Sequence, residues 1–193
     1  MKRKTIVVVT VLVALLLMKS GCGTTSDASA VIDLKTLQGL GFVPSDQAHH
    51  DSKGRVLVEL AAAWHHEYLI IRAIFTPDSS GFHLYSAELP SRGINGVGRP
   101  TLVEVSNPKD FQYIGALSSD KVAVNKPFPI LATEFPIYPD GPVVLYLPVI
   151  PNTQTAGQTI ELSLTYMACS DRICHDPIED TPVNLQVPVQ ITN

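Results

Sequence analysis

The chain has 193 residues, a formal charge of −4, 45% hydrophobic and 17% charged residues, 15 prolines and 3 cysteines. An acidic chain with few Lys/Arg clusters is a poor partner for nucleic acid or anionic headgroups, and prolines spread through the body argue against long helices. The length suits one domain able to bury a sizeable core without covalent staples.

The amino terminus opens with Lys2, Arg3 and Lys4, followed by the apolar run "TIVVVTVLVALLLM" and Lys19. That run falls short of the roughly 20 apolar residues a spanning helix needs. It matches the charged and apolar regions of an export signal, with an uncleaved single-span anchor as the alternative. "KSGCG" comes next and resembles a bacterial lipoprotein signal, which implies removal of residues 1–21 and lipidation of Cys22. Lys19 departs from the Leu-like residue usual three positions before such a cysteine, and "ASA" at 28–30 is a rival cleavage pattern. Either route predicts a folded part outside the cytoplasm, periplasmic in a bacterium, where disulfides persist. Losing residues 1–21 removes Lys2, Arg3, Lys4 and Lys19 and no acid, so the formal charge moves from −4 to −8. With no second long apolar run, membrane contact is expected only through an N-terminal lipid.

Residues 22–40 begin small and polar, as a tether would, and "DLKTLQGL" has room for one helical turn. From residue 41 to 193 the chain reads as β. The strand-like runs are 55–60, 68–75, 82–89, 100–105, 142–150, 159–168 and 183–191, separated by Gly, Pro, Asp and Ser. About seven such runs without a strand–helix–strand pattern predict an all-β fold, an immunoglobulin-like antiparallel sandwich in a single domain. Pro148 and Pro188, inside strand-like runs, predict edges or bulges. "GINGVG" at 93–98 reads as a turn.

The run from Ile160 shows period-two alternation. Ile160, Leu162, Leu164, Tyr166 and Ala168 form one set, and Glu161, Ser163, Thr165, Met167 and Cys169 the other. The first set belongs in the core, and the second, Cys169 included, is predicted to face solvent. The strand would turn through "SDRI" and return at Cys174, a hairpin in which two cysteines can meet disulfide geometry.

Three uses of this pair are open. As a staple it closes a loop so short that the chain-entropy gain is only about 2 kcal/mol. As a metal clip it lacks partners: His175 follows Cys174, but Cys-x-x-Cys-His spacing is absent and the other histidines are scattered. As a redox couple, an exposed pair outside the cytoplasm is well placed. Asp171, Asp176, Glu179 and Asp180 against Arg172 alone make the surroundings acidic, which disfavours a thiolate. No nucleophile elbow, phosphate loop or zinc-protease motif occurs, and no cofactor is implied.

"LTYMACSDRICHDP" resembles the active-site hairpin of the amino-terminal periplasmic domain of the thiol–disulfide interchange protein DsbD, matching at Thr165, Tyr166, Cys169, Cys174 and Pro177. "FPIYPDGPVVLYLPVIPNTQTAGQTIELSLTY" and "FVPSDQA" extend the likeness over most of residues 42–191. The resemblance implies an immunoglobulin-like sandwich that relays reducing equivalents by thiol–disulfide exchange. It implies Cys174 as the sulfur that forms mixed disulfides and Cys169 as the resolving thiol, linked to each other when oxidised. Tyr166, His175 and Pro177 become site neighbours, and either Phe128 or Phe135 becomes the aromatic residue of a cap over the cysteines. The family's membrane and thioredoxin domains have no counterpart in this sequence. The partners implied are therefore thioredoxin-like extracytoplasmic proteins or a separate membrane thiol reductase. A reading of a different class also stands, a non-catalytic envelope binding module with a purely structural hairpin disulfide.

Overall fold

A computed structural model describes residues 32–46, 48–113 and 115–190, so the apolar run, Cys22 and most of the expected tether lie outside the described residues. One helical turn, α1 (Leu34–Gln38), opens the described chain, its first turn capped by the Asp33 carboxylate accepting from the Thr36 amide at 3.0 Å. The strands that follow are β1 (Val43–Pro44), β2 (His49–Asp51), β3 (Val56–His65), β4 (Tyr68–Pro77), β5 (His83–Leu84), β6 (Leu102–Val105) and β7 (Phe111–Tyr113). Beyond them run β8 (Ser118–Ser119), β9 (Val124–Phe128), β10 (Thr133–Ile137), β11 (Val143–Pro151), β12 (Thr159–Tyr166), β13 (Ala168–Cys169) and β14 (Ile178–Gln186). The fold is all-β with antiparallel strand ladders, as the sequence predicts. No helix among the described residues is long and apolar enough to cross a membrane.

Two sheets face each other. One runs β1-β3-β4-β11-β7, with β2 added on β3 and β8 on β11; the other runs β14-β12-β6. Alternation fills the space between them. Val56, Val58, Leu60 and Ala62 of β3, Leu69, Ile71, Ala73 and Phe75 of β4, and Val143, Leu145, Leu147 and Val149 of β11 point inward. They meet Val103 and Val105 of β6, and Ile160, Leu162, Leu164 and Tyr166 of β12. The outer face of the large sheet is covered where Leu37 of α1, fully buried, packs on Ile70 and Tyr146. The last residues of the expected tether are thus seated on the sheet.

Several strand ends differ from the sequence reading. The 82–89 run keeps only β5 as strand, and β14 starts and stops earlier than 183–191, which leaves Pro188 beyond it. Pro148 lies in an interior strand, opposite Ile70 of β4. On its other side β8 pairs only with Leu145 and Tyr146, and β7 begins at Val149, so Pro148 falls where the neighbouring strand is interrupted. The "GINGVG" segment is a turn: Ile94 and Val97 pair across Asn95 and Gly96, both with positive φ, the Asn-Gly preference of a two-residue hairpin.

Candidate functional site

The site begins where β12 leaves its sheet. A register shift separates the pairs Leu164–Thr181 and Tyr166–Ile178, and Asp180 takes a positive φ there. Beyond this bulge, β13 pairs with β5 rather than with β6, Ala168 opposite Leu84 and Cys169 opposite His83. The chain then turns through Ser170–Ile173. The Ser170 amide donates to the Ile173 carbonyl at 2.8 Å, and the amides of Arg172 and Ile173 donate to the Ser170 hydroxyl at 3.3 and 3.1 Å. The His175 amide donates to the Ala168 carbonyl at 2.9 Å. Cys169 and Cys174 sit between these two backbone hydrogen bonds, at the position of an antiparallel ladder where opposing Cα atoms come closest. Their Cα atoms are 4.0 Å apart and their sulfurs are joined in a disulfide.

Alternation predicts Cys169 on a solvent face, and the structure corrects this. Cys169 is 0% exposed, whereas Cys174 is exposed. The alternation itself holds: Tyr166 and Ala168 enter the main core, while Met167 and Cys169 point the other way. That other direction is a second interior. Tyr85, Leu89, Phe135, Ile137 and Cys169 form a small separate core, with Phe128, Leu131 and Met167 packed against it. Its roof is the two-stranded β9–β10 hairpin, which the sequence reading did not recognise as strands because Pro127, Pro129 and Pro136 interrupt it.

Both candidate cap residues are in this roof, at different depths. Phe135 is fully buried, its ring 5.5 Å from Tyr85 and 4.9 Å from Phe128. Phe128 is half-buried nearer the hairpin tip, with its ring 6.3 Å from that of His83. Lys126 of β9 forms an ion pair with Asp171 of the disulfide loop, and this charge contact holds the Asp171 carboxyl below its ordinary range. Beside it, Lys126, Pro127, Phe128, Pro129 and Asp171 line an open cleft of about 320 Å³.

The other expected neighbours fall into two groups. His175 stacks flat on Phe82, ring centroids 4.4 Å apart and 9° from parallel, and burial lowers its basicity. Pro177 is exposed just past the loop. Tyr166 is not at the sulfurs: its fully buried ring meets Phe75 at 5.7 Å, inside the main core. The tyrosine at the disulfide is Tyr85, whose hydroxyl donates to Cys169 Sγ at 3.2 Å. Burial pushes that phenol up to about 12, so it stays a donor at neutral pH. Tyr85 is held from both sides, through bridges to Ile137 and Pro100 and through the Thr101 hydroxyl donating to its carbonyl at 2.7 Å.

Tyr85 has no part in the sequence reading, and His83 counts there among scattered histidines expected to be solvated; the structure corrects this, burying His83 at 1% exposure, although "FHLY" carries the signal of both. Phe82 and Leu84 pack in or against the main core, and Tyr85 enters the small one. The acidic count around the pair also changes. Lys126 pairs with Asp171 and Arg99 with Glu179, so two of the four carboxylates are neutralised by residues distant in sequence. Among the described residues, no cluster of three or more His, Cys, Asp or Glu is arranged to hold a metal ion.

No protein-family model matches the chain, and no curated protein matches it. Among solved structures it is similar to the amino-terminal domain of DsbD from Neisseria meningitidis, in a crystal structure of the reduced form. The two are 16% identical, with 72% of this chain and 90% of that one covered and a TM-score of 0.45.

Proposed function

We propose that this protein is an extracytoplasmic thiol–disulfide exchange protein that relays reducing equivalents through Cys169 and Cys174. The observation that carries the reading is the asymmetry of the bond, with one cysteine an exposed loop residue and the other fully buried under an aromatic roof beside a phenol. A thiolate from a partner reaches Cys174 Sγ, the S–S bond breaks, and Cys169 leaves with the electron pair into the hydrogen bond from Tyr85. The mixed disulfide on Cys174 is then resolved by the partner's second thiol. A purely structural staple needs neither an exposed cysteine nor a donor aimed at the buried sulfur.

The partners of this reading are thioredoxin-like extracytoplasmic proteins or a separate membrane thiol reductase, seated over Cys174 and the adjoining cleft. Residues 1–21 act as the export signal, and Cys22 carries the lipid. Mild reduction followed by thiol titration tests the exchange role: two readily gained thiols are expected, and a bond that resists a small dithiol defeats it. Cys169→Ser should trap partners as mixed disulfides on Cys174. Cys22→Ser should release the protein from the membrane fraction with its fold intact, and retention there after signal processing would refute the lipid assignment.

A further inference from the structure

Cys169 is enclosed, so any step that makes it a nucleophile must remove its proton inside the protein, where water is not available to take it. The residue directly across the ladder from Cys169 is His83. Directly paired residues of an antiparallel ladder project from the same face with Cβ atoms about 5 Å apart. His83 is 1% exposed, and neither of its ring nitrogens has a hydrogen-bond partner. A buried imidazole with both nitrogens unpaired is costly to maintain and rare. Its surroundings are aromatic: Tyr85 at 5.7 Å and Phe128 at 6.3 Å, both edge-on. The charged groups acting on it are Lys126 of β9, Asp140 after β10 and Asp171 of the disulfide loop. Burial, helped by Lys126, lowers the imidazole to about 4, so at neutral pH the ring is uncharged and keeps one free lone pair.

We propose that His83 is the general base for Cys169, accepting its thiol proton when Cys169 closes the disulfide. The proposal rests on the exchange function above and assigns a further residue to it. In the step, Cys174 begins as a mixed disulfide with a partner sulfur. The Cys169 proton passes to His83 as the Cys169–Cys174 bond forms, the bond from Cys174 to the partner breaks, and the partner sulfur leaves with the electron pair. The proton then passes from the imidazolium to the leaving thiolate or to solvent. The transient charge pair of imidazolium and thiolate offsets the desolvation that keeps either ion from forming alone. Tyr85 holds the sulfur by its hydrogen bond, and His83 handles the proton.

The test uses the reduced protein and the chromogenic aryl disulfide of nitrothiobenzoate. The first release of coloured thiolate reports attack by Cys174 and serves as the internal reference. The second, independent of reagent concentration, reports closure by Cys169. In the wild type the closure rate should be nearly flat between about pH 5 and 8, since a neutral imidazole does the deprotonation throughout. In His83→Phe it should fall about tenfold or more at pH 6 and rise about tenfold per pH unit, following free thiolate alone. His83→Gln, which keeps polarity without basicity, should behave like His83→Phe. Variants that close at the wild-type rate with the wild-type profile overturn the assignment. So does a wild-type closure that rises in proportion to hydroxide, a result that needs no variant to fold. If the wild-type disulfide cannot be reduced at all, the exchange function itself fails, and the assignment with it.

Discussion

The Tyr85 hydroxyl donates to the sulfur of Cys169 at 3.2 Å, while the sulfur bonded to it, on Cys174, belongs to an exposed residue. The two ends of one bond therefore differ as leaving groups, and the hydrogen bond favours departure of the buried end. Tyr85→Phe removes only that donor. A hydrogen bond to a charged group contributes about 1.5–3 kcal/mol, so reduction by an attacking thiolate should slow about tenfold or more. Stopped-flow reduction by a small dithiol measures this, and an unchanged rate would mean the phenol does not assist the leaving sulfur.

The ion pair between Lys126 and Asp171 ties the roof to the disulfide loop. Lys126→Met should raise the reduction rate roughly two- to fivefold, and high salt should do the same to the wild type. The pH dependence has a defined sign. Asp171 is held below its ordinary value by Lys126. The contact is therefore fully present above the usual carboxylate value of about 4 and is lost as pH falls through the lowered one. Equal rates in the variant and the wild type would show that this contact does not restrain the roof.

Phe135 and Phe128 should separate stability from access. Phe135→Ala empties a fully buried position and should cost about 3–5 kcal/mol in denaturant unfolding. Phe128→Ala, at a half-buried position, should cost less and mainly accelerate attack on the disulfide. Similar effects of the two on both readouts would contradict the difference in depth.

The bond itself should matter little to the fold. Replacing both Cys169 and Cys174 with serine should cost on the order of 2 kcal/mol or less, because the closed loop is short. The Ser170–Ile173 and Ala168–His175 backbone hydrogen bonds can persist without the sulfurs. The double variant should keep its β-type circular dichroism and lose exchange activity. Unfolding at room temperature would support a structural disulfide instead.

The sandwich was legible because alternation is a local property: each inward residue of β3, β4, β11 and β12 announces its face in its own strand. The cysteine hairpin was legible for the same reason. What alternation cannot report is whether the opposite face is wet. Met167 and Cys169 sit on the side that reads as exterior, and only the proline-interrupted β9–β10 hairpin, some 40 residues earlier in the chain, makes it interior. Its strands were hidden because prolines at 127, 129 and 136 read as breaks. Tyr85 and His83 escaped notice because a polar-faced strand with aromatic residues has an ordinary explanation until a second layer covers it. Lys126 and Arg99 reach their carboxylates across 45 and 80 residues, a separation that no count within a sequence window can cover.

The separation of the small interior around Cys169 from the main one also bears on how such a chain can vary over generations. Substitutions that share no contacts tend to act additively, and the residues between the two main sheets form a different cluster from those around Cys169. Changes at Val58 or Leu162 can therefore drift with overall robustness while the sulfur chemistry stays fixed. Changes at Phe128 or Tyr85 can retune reactivity without rebuilding the body. A lineage of such proteins would be free to diverge widely in sequence through the sandwich and still keep one working pair of sulfurs.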